Sequence, residues 1–417
     1  MVKIDTPWRK SVFFVSALMV SLITFSLAVF PKEGLEAAKE GLKIFGWIVL
    51  PSLLPFFVLS EIMLGLGIVH FIGVFLEPLM RPAFNVPGVG AFALSMGLAA
   101  GYPMDAVITA KFRRSGLCNR VEGERLLAFT NTADPLFMFG AVAVGMFGRP
   151  DLGVTIAIAH YLSAFSVGFI YRFYRQGQTP TKEPNQENQK GNIIRRALKE
   201  MVCARKEDGR PVGQLFGDAV TDSVSTLLMI GGFIIVFSVL VRVLEEVGVV
   251  KILLPVVEWI LKRIGLNPSL SPALIKGFLE IDLGTMAAAQ TTASLGDRLI
   301  IASAIIGWSG LSVHGQVISV IHETDIRIAP YIIARILHCL LGGIYTYFLL
   351  GTVKVIKILP TPVFYQSTGV LRRWYLSFTQ LLIVIGFLIG VSFLLQILSR
   401  FRLVLVENKE LKGKRNK

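Results

Sequence analysis

Long apolar runs alternate with short polar segments along almost the whole chain. Uninterrupted runs occupy 11–30, 152–172, 223–247, 328–351 and 377–398. Each is close to the roughly 20 apolar residues that a helix needs to cross the hydrocarbon core of a bilayer. The pattern predicts an all-α polytopic membrane protein in which 11–30 is an uncleaved first transmembrane helix.

Other apolar segments are short, mixed in character or interrupted: 44–68, 69–82, 88–110, 124–148, 250–265, 271–294 and 297–320. Together with the uninterrupted runs they give the same order twice: span, short mixed helix, interrupted segment, span, span. If 88–110 and 271–294 are re-entrant hairpins, each half crosses the membrane an odd number of times, so the second half is inverted. The sequence therefore predicts an inverted repeat with two re-entrant hairpins and two interrupted helices, as in secondary transporters.

The predicted organisation follows this order. An N-terminal transmembrane helix and its connection occupy 1–43, the first repeat 44–172 and a basic loop 173–220, which contains a short helix near 192–203. The second repeat occupies 221–351, and a C-terminal transmembrane helix with a basic tail occupies 352–417.

The net charge of +14 changes this picture little, because Lys and Arg concentrate in loops and at the termini. By the positive-inside rule the N-terminus, 111–120, 173–213 and the C-terminal tail are predicted to be cytoplasmic. The loop with Lys354, Lys357, Arg372 and Arg373 disagrees with that assignment. No basic domain stands apart from the membrane segments, so the expected partner is the lipid bilayer and not a nucleic acid.

Motifs for enzymatic chemistry are missing from the sequence. It has no nucleotide-binding loop, no HExxH and no GxSxG, and its three cysteines and five histidines show no ligand spacing. We therefore expect no cofactor, no metal and no enzymatic activity. An intramembrane aspartyl enzyme stays formally open through Asp105, Asp134 and Asp282.

Two carboxylates occur within the apolar stretch LIKGFLEIDLGTMAAAQTTA, residues 274–293. Glu280 and Asp282 either form a hydrated hairpin tip or face an internal cavity, since an ionised carboxylate in mid-bilayer costs several kcal/mol unless paired or hydrated. Gly284 permits a break here, and the amides around Thr285 would then begin a half-helix that attracts an anion.

The first half has a similar break in GYPMD, residues 101–105. Gly101 and Pro103 interrupt the helix, Tyr102 offers a hydroxyl, and Asp105 is expected in the first turn of the next half-helix. A simple turn capped by Asp105 is the alternative.

Polar clusters also interrupt two spans. TNTADP (130–135) combines Thr130, Asn131, Thr132 and Asp134 with Pro135, which frees a backbone carbonyl. In GWSGLSVHGQ (307–316), Gly307 and Gly310 loosen the helix, while Ser309, Ser312, His314 and Gln316 supply donors and acceptors. Ser309, Ser312 and Gln316 are spaced to share one helical face, and Trp308 is either part of this site or an interfacial anchor.

These motifs and their order, over about 8–400, resemble the nucleoside-recognition (Gate) domain and the sporulation integral membrane proteins of the YlbJ type. The resemblance implies the fold of a concentrative nucleoside transporter. It also implies transport of a small organic anion, dipicolinic acid, across the outer forespore membrane. A nucleoside transporter and a non-transporting membrane scaffold for spore assembly are the alternatives.

The resemblance places the predicted site at the two hairpins and the two interrupted helices. The substrate-binding residues are then Tyr102, Thr130, Asn131, Thr132, Thr285, Ser309, Ser312, His314 and Gln316. Asp105, Asp134, Glu280 and Asp282 would serve a coupling ion or proton, with Lys276 or Arg298 as alternative partners of Glu280 and Asp282. Oligomers are expected because concentrative nucleoside transporters form trimers.

Overall fold

The computed structural model describes residues 7–181 and 193–356, and within these ranges the chain is helical with no β-strand. The predicted span 377–398, the basic tail and Lys357, Arg372 and Arg373 lie outside the described residues. The prediction of an all-α polytopic protein is confirmed.

The helices follow one another with short connections. They are α1 (Pro7–Val29), α2 (Pro31–Ile44), α3 (Leu50–Gly65), α4 (Ile68–Phe84), α5 (Gly90–Ala100), α6 (Met104–Arg114), α7 (Arg120–Thr130), α8 (Leu152–Tyr171), α9 (Ile193–Asp208), α10 (Val212–Glu246), α11 (Val249–Arg263), α12 (Ser271–Leu279), α13 (Ile281–Gln290), α14 (Leu295–Trp308), α15 (Gly310–Ile321) and α16 (Ile328–Ile356). π-Helical segments run over Phe45–Val49 and Leu136–Met146.

Several of these helices are long and apolar enough to cross a membrane. In the described part of the chain they are α8, α10, the stretch Leu295–Ile321, which comprises α14 and α15, and the Ile328–Leu350 part of α16. The helical pieces Phe57–Gly65 and Ile68–Val74 form a bent pair that turns by 77°. The bend agrees with the expectation that 69–82 does not continue the preceding span.

The two interrupted apolar segments are helical hairpins. Helices α5 and α6 meet at Gly101, whose φ is 71°, and α12 and α13 meet at Glu280, whose backbone is extended. The predicted break at Gly284 is wrong, because Gly284 and Thr285 lie inside α13. A Cβ at Gly284 would lie 2.2 Å from the Cα of Gly277, so glycine is needed here where the two arms pack backbone to backbone.

Two longer helices break at the predicted polar clusters. Helix α7 ends at Thr130, and the chain runs non-helically through 131–134 before Pro135 starts the π-helical segment. Helices α14 and α15 are separated at Ser309, which has a left-handed backbone with φ of 71°.

Regular structure extends further than the sequence pattern predicted. The connection after the first span is helix α2, whose Gly41 packs against Ser238 of α10. Helix α10 begins at Val212, directly after Pro211 and inside the predicted loop 173–220. Helix α9 ends at Asp208, beyond the predicted end near 203.

Apolar packing joins the elements into one framework around the hairpins. One cluster packs α4, α5 and α6 against α7 and includes the stacked rings of Phe84 and Phe129, 4.4 Å apart. Another joins the segment 136–146 and α8 to α12, α13 and α14, and includes Met138 and Ile305. The second cluster thereby brings the broken helix of the first half against the hairpin of the second.

Candidate functional site

A cavity of about 720 Å³ lies where the hairpins and the broken helices meet. Its polar lining comes from both halves of the chain: Tyr102, Asp134, Glu280, Asp282, Ser312 and Gln316. Apolar walls come from the two π-helical segments and from α10, through residues such as Trp47, Phe137 and Ile230. A mostly apolar cleft with a few convergent polar groups is the usual form of a small-molecule site.

Three carboxylates line this cavity, and no lysine or arginine is among its lining residues. Glu280 accepts a hydrogen bond from the backbone amide of Leu283 at 2.9 Å and so caps α13. Asp134 caps the next helical segment in the same way, through the amide of Phe137 at 2.9 Å. Asp282 lies in the first turn of α13. Each carboxylate is therefore held at the positive end of a helical segment, which stabilises its charge.

The predicted cationic partners of Glu280 and Asp282 lie elsewhere, so that pairing prediction is wrong. The Nζ atom of Lys276 is 2.6 Å from Glu245 Oε1. Arg298 donates to the carbonyl oxygens of Ala288 and Ala289 at the end of α13. The described residues contain no cluster of three His, Cys, Asp or Glu side chains arranged to hold a metal ion.

Tyr102, at the tip of the first hairpin, connects the two halves. Its hydroxyl donates to the carbonyl of Ile306 at 2.7 Å, near the end of α14. That carbonyl belongs to the last turn before the break at Ser309, where helical acceptors lack intrahelical donors. The bond therefore holds the first hairpin against the broken helix of the second half.

The cluster at residues 130–132 lies behind the cavity. Asn131 donates from Nδ2 to Asp105 Oδ1 at 2.8 Å, and Thr130 donates to Asp105 Oδ2 at 3.2 Å. The hydroxyl of Tyr331 donates to Asn131 Oδ1 at 3.1 Å, and Thr132 bonds to the carbonyl of Thr130. These residues are buried, and their polar groups join the broken helix α7 to hairpin helix α6.

Three other predicted substrate-binding residues are also occupied by the protein itself. The hydroxyl of Ser309 donates to the carbonyl of Trp308, and that of Thr285 donates to the carbonyl of Ile281. His314 Nδ1 lies 2.7 Å from the carbonyl of Gly310. None of the three lines the cavity.

The break at Ser309 also alters the predicted face of α15. Its left-handed backbone turns Ser309 away from the helical register, so that Ser312 and Gln316 alone of the predicted trio line the cavity. Trp308 donates from Nε1 to the carbonyl of Phe278 at 2.9 Å and thereby joins α14 to the second hairpin.

Comparison with known proteins finds a family match in each half of the chain. The Gate family, described as nucleoside recognition, matches residues 46–172 and 227–327. Sporulation integral membrane protein YlbJ of Bacillus subtilis (strain 168) is 44% identical over 331 residues, which are 78% of this chain and 80% of that protein. This chain belongs to the YlbJ family of Gate-domain membrane proteins.

Among solved structures, the chain is similar to one described as CNTnw in an inward-facing substrate-bound state. The TM-score is 0.40 and the sequence identity 14%, over 84% of this chain and 87% of that chain.

Sequence reasoning missed a buried arginine that supports the broken helix of this YlbJ-family protein. Arg335 of α16 donates to the carbonyl of Asn131 at 2.6 Å and to the carbonyl of Ala128 at 3.0 Å. Its side chain is fully buried. An ionisable residue within a predicted span was the signal that could have found it.

Two histidines to which the sequence assigned no role lie at the same break. His160 Nε2 accepts a hydrogen bond from the amide of Ala133 at 2.9 Å. The ring of His338 stacks on His160 at 4.4 Å, and its Nε2 lies 3.0 Å from the carbonyl of His160. Helices α8 and α16 therefore replace the helical hydrogen bonds that the unwound segment lacks.

Ion pairs connect the two halves of the YlbJ-family chain away from the cavity. Arg113 forms a two-pronged pair with Asp325, with Nε–Oδ1 and Nη2–Oδ2 distances of 2.7 and 3.0 Å. This guanidinium lowers the pKa of Asp325 below its ordinary value. Arg327 binds both oxygens of Glu124 and the hydroxyl of Tyr174. The ends of α6 and α7 are thus tied to the connection between α15 and α16.

Proposed function

We propose that this protein is a membrane transporter for a small organic anion, and that its substrate is dipicolinic acid moved across the outer forespore membrane during sporulation. The relative named above is a sporulation integral membrane protein, which supports the setting. The Gate match supports recognition of a small molecule. We further propose that the chain has no enzymatic activity.

The observation that carries the proposal is a pair of unused polar side chains facing the cavity. Among the described residues, the buried hydroxyl of Ser312 has no hydrogen-bond partner. The Gln316 amide, one turn along α15, also forms no hydrogen bond to another described residue. Buried polar groups are normally paired, so two unpaired donors in one cavity favour a polar ligand there. A hydroxyl and an amide suit the carboxylate oxygens of dipicolinate.

The carboxylates of the cavity determine what must accompany the substrate. Dipicolinate is a planar dianion at neutral pH, and Asp134, Glu280 and Asp282 would repel it if all were ionised. We therefore propose that a proton or a cation enters the cavity with the substrate and couples to its movement.

A nucleoside is the second candidate, favoured by the same carboxylates. Ribose hydroxyls are donors, and an ionised carboxylate only accepts. A scaffold for spore assembly has no use for the unpaired donors in the cavity, and is the third possibility.

Uptake of labelled dipicolinate into proteoliposomes tests the proposal. The purified protein should take up dipicolinate, and Ser312→Ala with Gln316→Ala should reduce uptake by about tenfold, which corresponds to roughly 1.4 kcal/mol. Glu258→Gln on the exposed surface of α11 is the matched control. Competition by unlabelled nucleosides would favour the nucleoside reading, and no uptake under any ion or pH gradient would favour the scaffold.

Orientation and assembly are also proposals. We place the N- and C-termini in the cytoplasm, on the charge distribution of the loops. An oligomer is proposed because concentrative nucleoside transporters, which the motifs resemble, form trimers. Labelling of single terminal cysteines from each side of the membrane and the mass of the protein in a bilayer mimic test these two points.

A further inference from the structure

Helix α9 presents an apolar stripe outward even though it belongs to the basic connection between the two halves. Ile194, Leu198 and Val202 are spaced four residues apart, so they lie along one side of the helix. They are 51%, 46% and 47% exposed. The protein therefore leaves about half of each of these side chains open to its surroundings.

Cations lie beside the stripe. Arg195, Lys199 and Lys206 are exposed and occupy the neighbouring face of α9 at helical spacing. In the described ranges none of these three side chains is within ion-pair distance of a carboxylate. An apolar stripe flanked by unpaired cations is typical of helices that lie in the surface of an anionic membrane.

The opposite face of α9 is docked rigidly on the protein. Ala197 and Glu200 are buried, and a Cβ at Gly67 would lie 2.3 Å from the carbonyl oxygen of Met201. Gly67 has a left-handed backbone with φ of 75° at the bend between α3 and α4. The absence of a side chain at this bend lets the backbone of α9 approach it, which fixes the outward direction of the stripe.

Helix α4, on which α9 docks, also contacts the segment that follows span α8. Helix α4 carries α9 at its first end, through Gly67. At its last turn Arg81 donates to the carbonyl of Thr181 at 2.8 Å, just beyond the end of span α8. Both ends of α4 therefore hold parts of the connection between spans α8 and α10.

We propose that α9 is an interfacial anchor whose Ile194, Leu198 and Val202 stripe inserts at the headgroup boundary of an anionic leaflet, with Arg195, Lys199 and Lys206 on the lipid phosphates. The chemistry that recognises the partner is an apolar strip beside unpaired positive charge, which matches a phospholipid surface with net negative charge. The anchor is separate from the cavity and does not depend on the proposed substrate.

The test places a fluorescent probe on the stripe of the full-length protein in vesicles. Cys203→Ser removes the cysteine of α9, and this background without a new cysteine measures any labelling of Cys118 and Cys339. Bimane is then attached at Leu198→Cys, and at Glu207→Cys as the exposed control on the same helix. Ile194→Cys replaces Leu198→Cys if the latter does not fold.

Quenching by brominated lipid should be at least about twofold stronger at position 198 than at 207, and quenching by aqueous iodide should show the reverse order. Phosphatidylglycerol at about 30 mol% in phosphatidylcholine vesicles should increase the lipid quenching at 198. Replacing Arg195, Lys199 and Lys206 together with Gln should remove that increase.

Equal iodide quenching at 198 and 207 would mean that the stripe is in water, and would overturn the proposal. Protection of position 198 from both quenchers would also overturn it, since the stripe would then be covered by protein, either a second copy or another membrane partner. Lipid quenching at 198 that is unaffected by phosphatidylglycerol and by the triple Gln variant would refute the role of the cations.

Discussion

Asn131 donates a hydrogen bond from Nδ2 to Oδ1 of Asp105 at 2.8 Å, joining the unwound end of α7 to the first turn of α6. Both residues are fully buried. Asn131 also accepts from Tyr331, so one amide holds together a hairpin, a broken helix and α16. We therefore expect the pair to hold the walls of the cavity in place without lining the cavity itself.

Removing this amide should destabilise the protein. Asn131→Ala leaves Thr130 as the remaining side-chain donor to Asp105 and leaves the Tyr331 hydroxyl without an acceptor. We therefore expect the free energy of unfolding to fall by about 1–3 kcal/mol. Thermal unfolding in detergent measures it. Gln214→Ala, at an exposed position of α10, is the control and should leave the melting temperature unchanged. Equal melting of Asn131→Ala and the control would contradict the supporting role.

Arg335 should tolerate neither loss of charge nor change of shape. Arg335→Lys keeps the charge but cannot reach both the Ala128 and Asn131 carbonyls, and Arg335→Leu satisfies neither. We expect losses of about 1–3 kcal/mol for each unsatisfied buried acceptor, with Leu worse than Lys. Arg149→Lys is the control, because Arg149 forms an exposed ion pair with Asp151. Similar melting temperatures for all these variants would show that the broken helix does not need the guanidinium.

Alanine substitution should have different effects on stability at two glycines of the chain. Gly284→Ala places a Cβ against the backbone of Gly277 and should force the arms of the second hairpin apart, at a cost of about 1–3 kcal/mol or more. Gly232→Ala, within α10, meets nothing within 4 Å and should be neutral or stabilising by up to roughly 1 kcal/mol. Denaturation of the two variants in parallel checks the difference, and a neutral Gly284→Ala would contradict the close packing of the hairpin.

Neutralising the cavity carboxylates should separate substrate binding from coupling. Glu280→Gln with Asp282→Asn keeps the shape of both side chains and removes the charges that a co-transported proton or cation would meet. We expect dipicolinate uptake to lose its dependence on the imposed pH or ion gradient and to fall by about tenfold, or roughly 1.4 kcal/mol. Uptake measured against gradient size tests this, with Glu258→Gln as the surface control. Unchanged, gradient-dependent uptake would remove the coupling role.

Much of the site's local structure was readable from the sequence. The breaks at Gly101, Asn131 and Ser309 occur where glycine, proline or clustered polar residues interrupt an apolar run. Local conformational preference acts over a few residues, and a short window of sequence contains that information. The prediction of a break at Gly284 was wrong, because this glycine is needed for close packing against Gly277 and not for the conformation of its own backbone.

The sequence alone determined that the chain is helical, largely apolar and interrupted by polar residues at matching places in its two halves, because backbone hydrogen bonding and burial in lipid depend on local composition. Only the tertiary structure decided which polar residues face the cavity. Ser312 and Gln316 face it, whereas Asn131 faces Asp105 and Arg335, the latter 204 residues away in the chain. The rotation of each helix is set by packing against distant neighbours, and that information is not contained in any one segment.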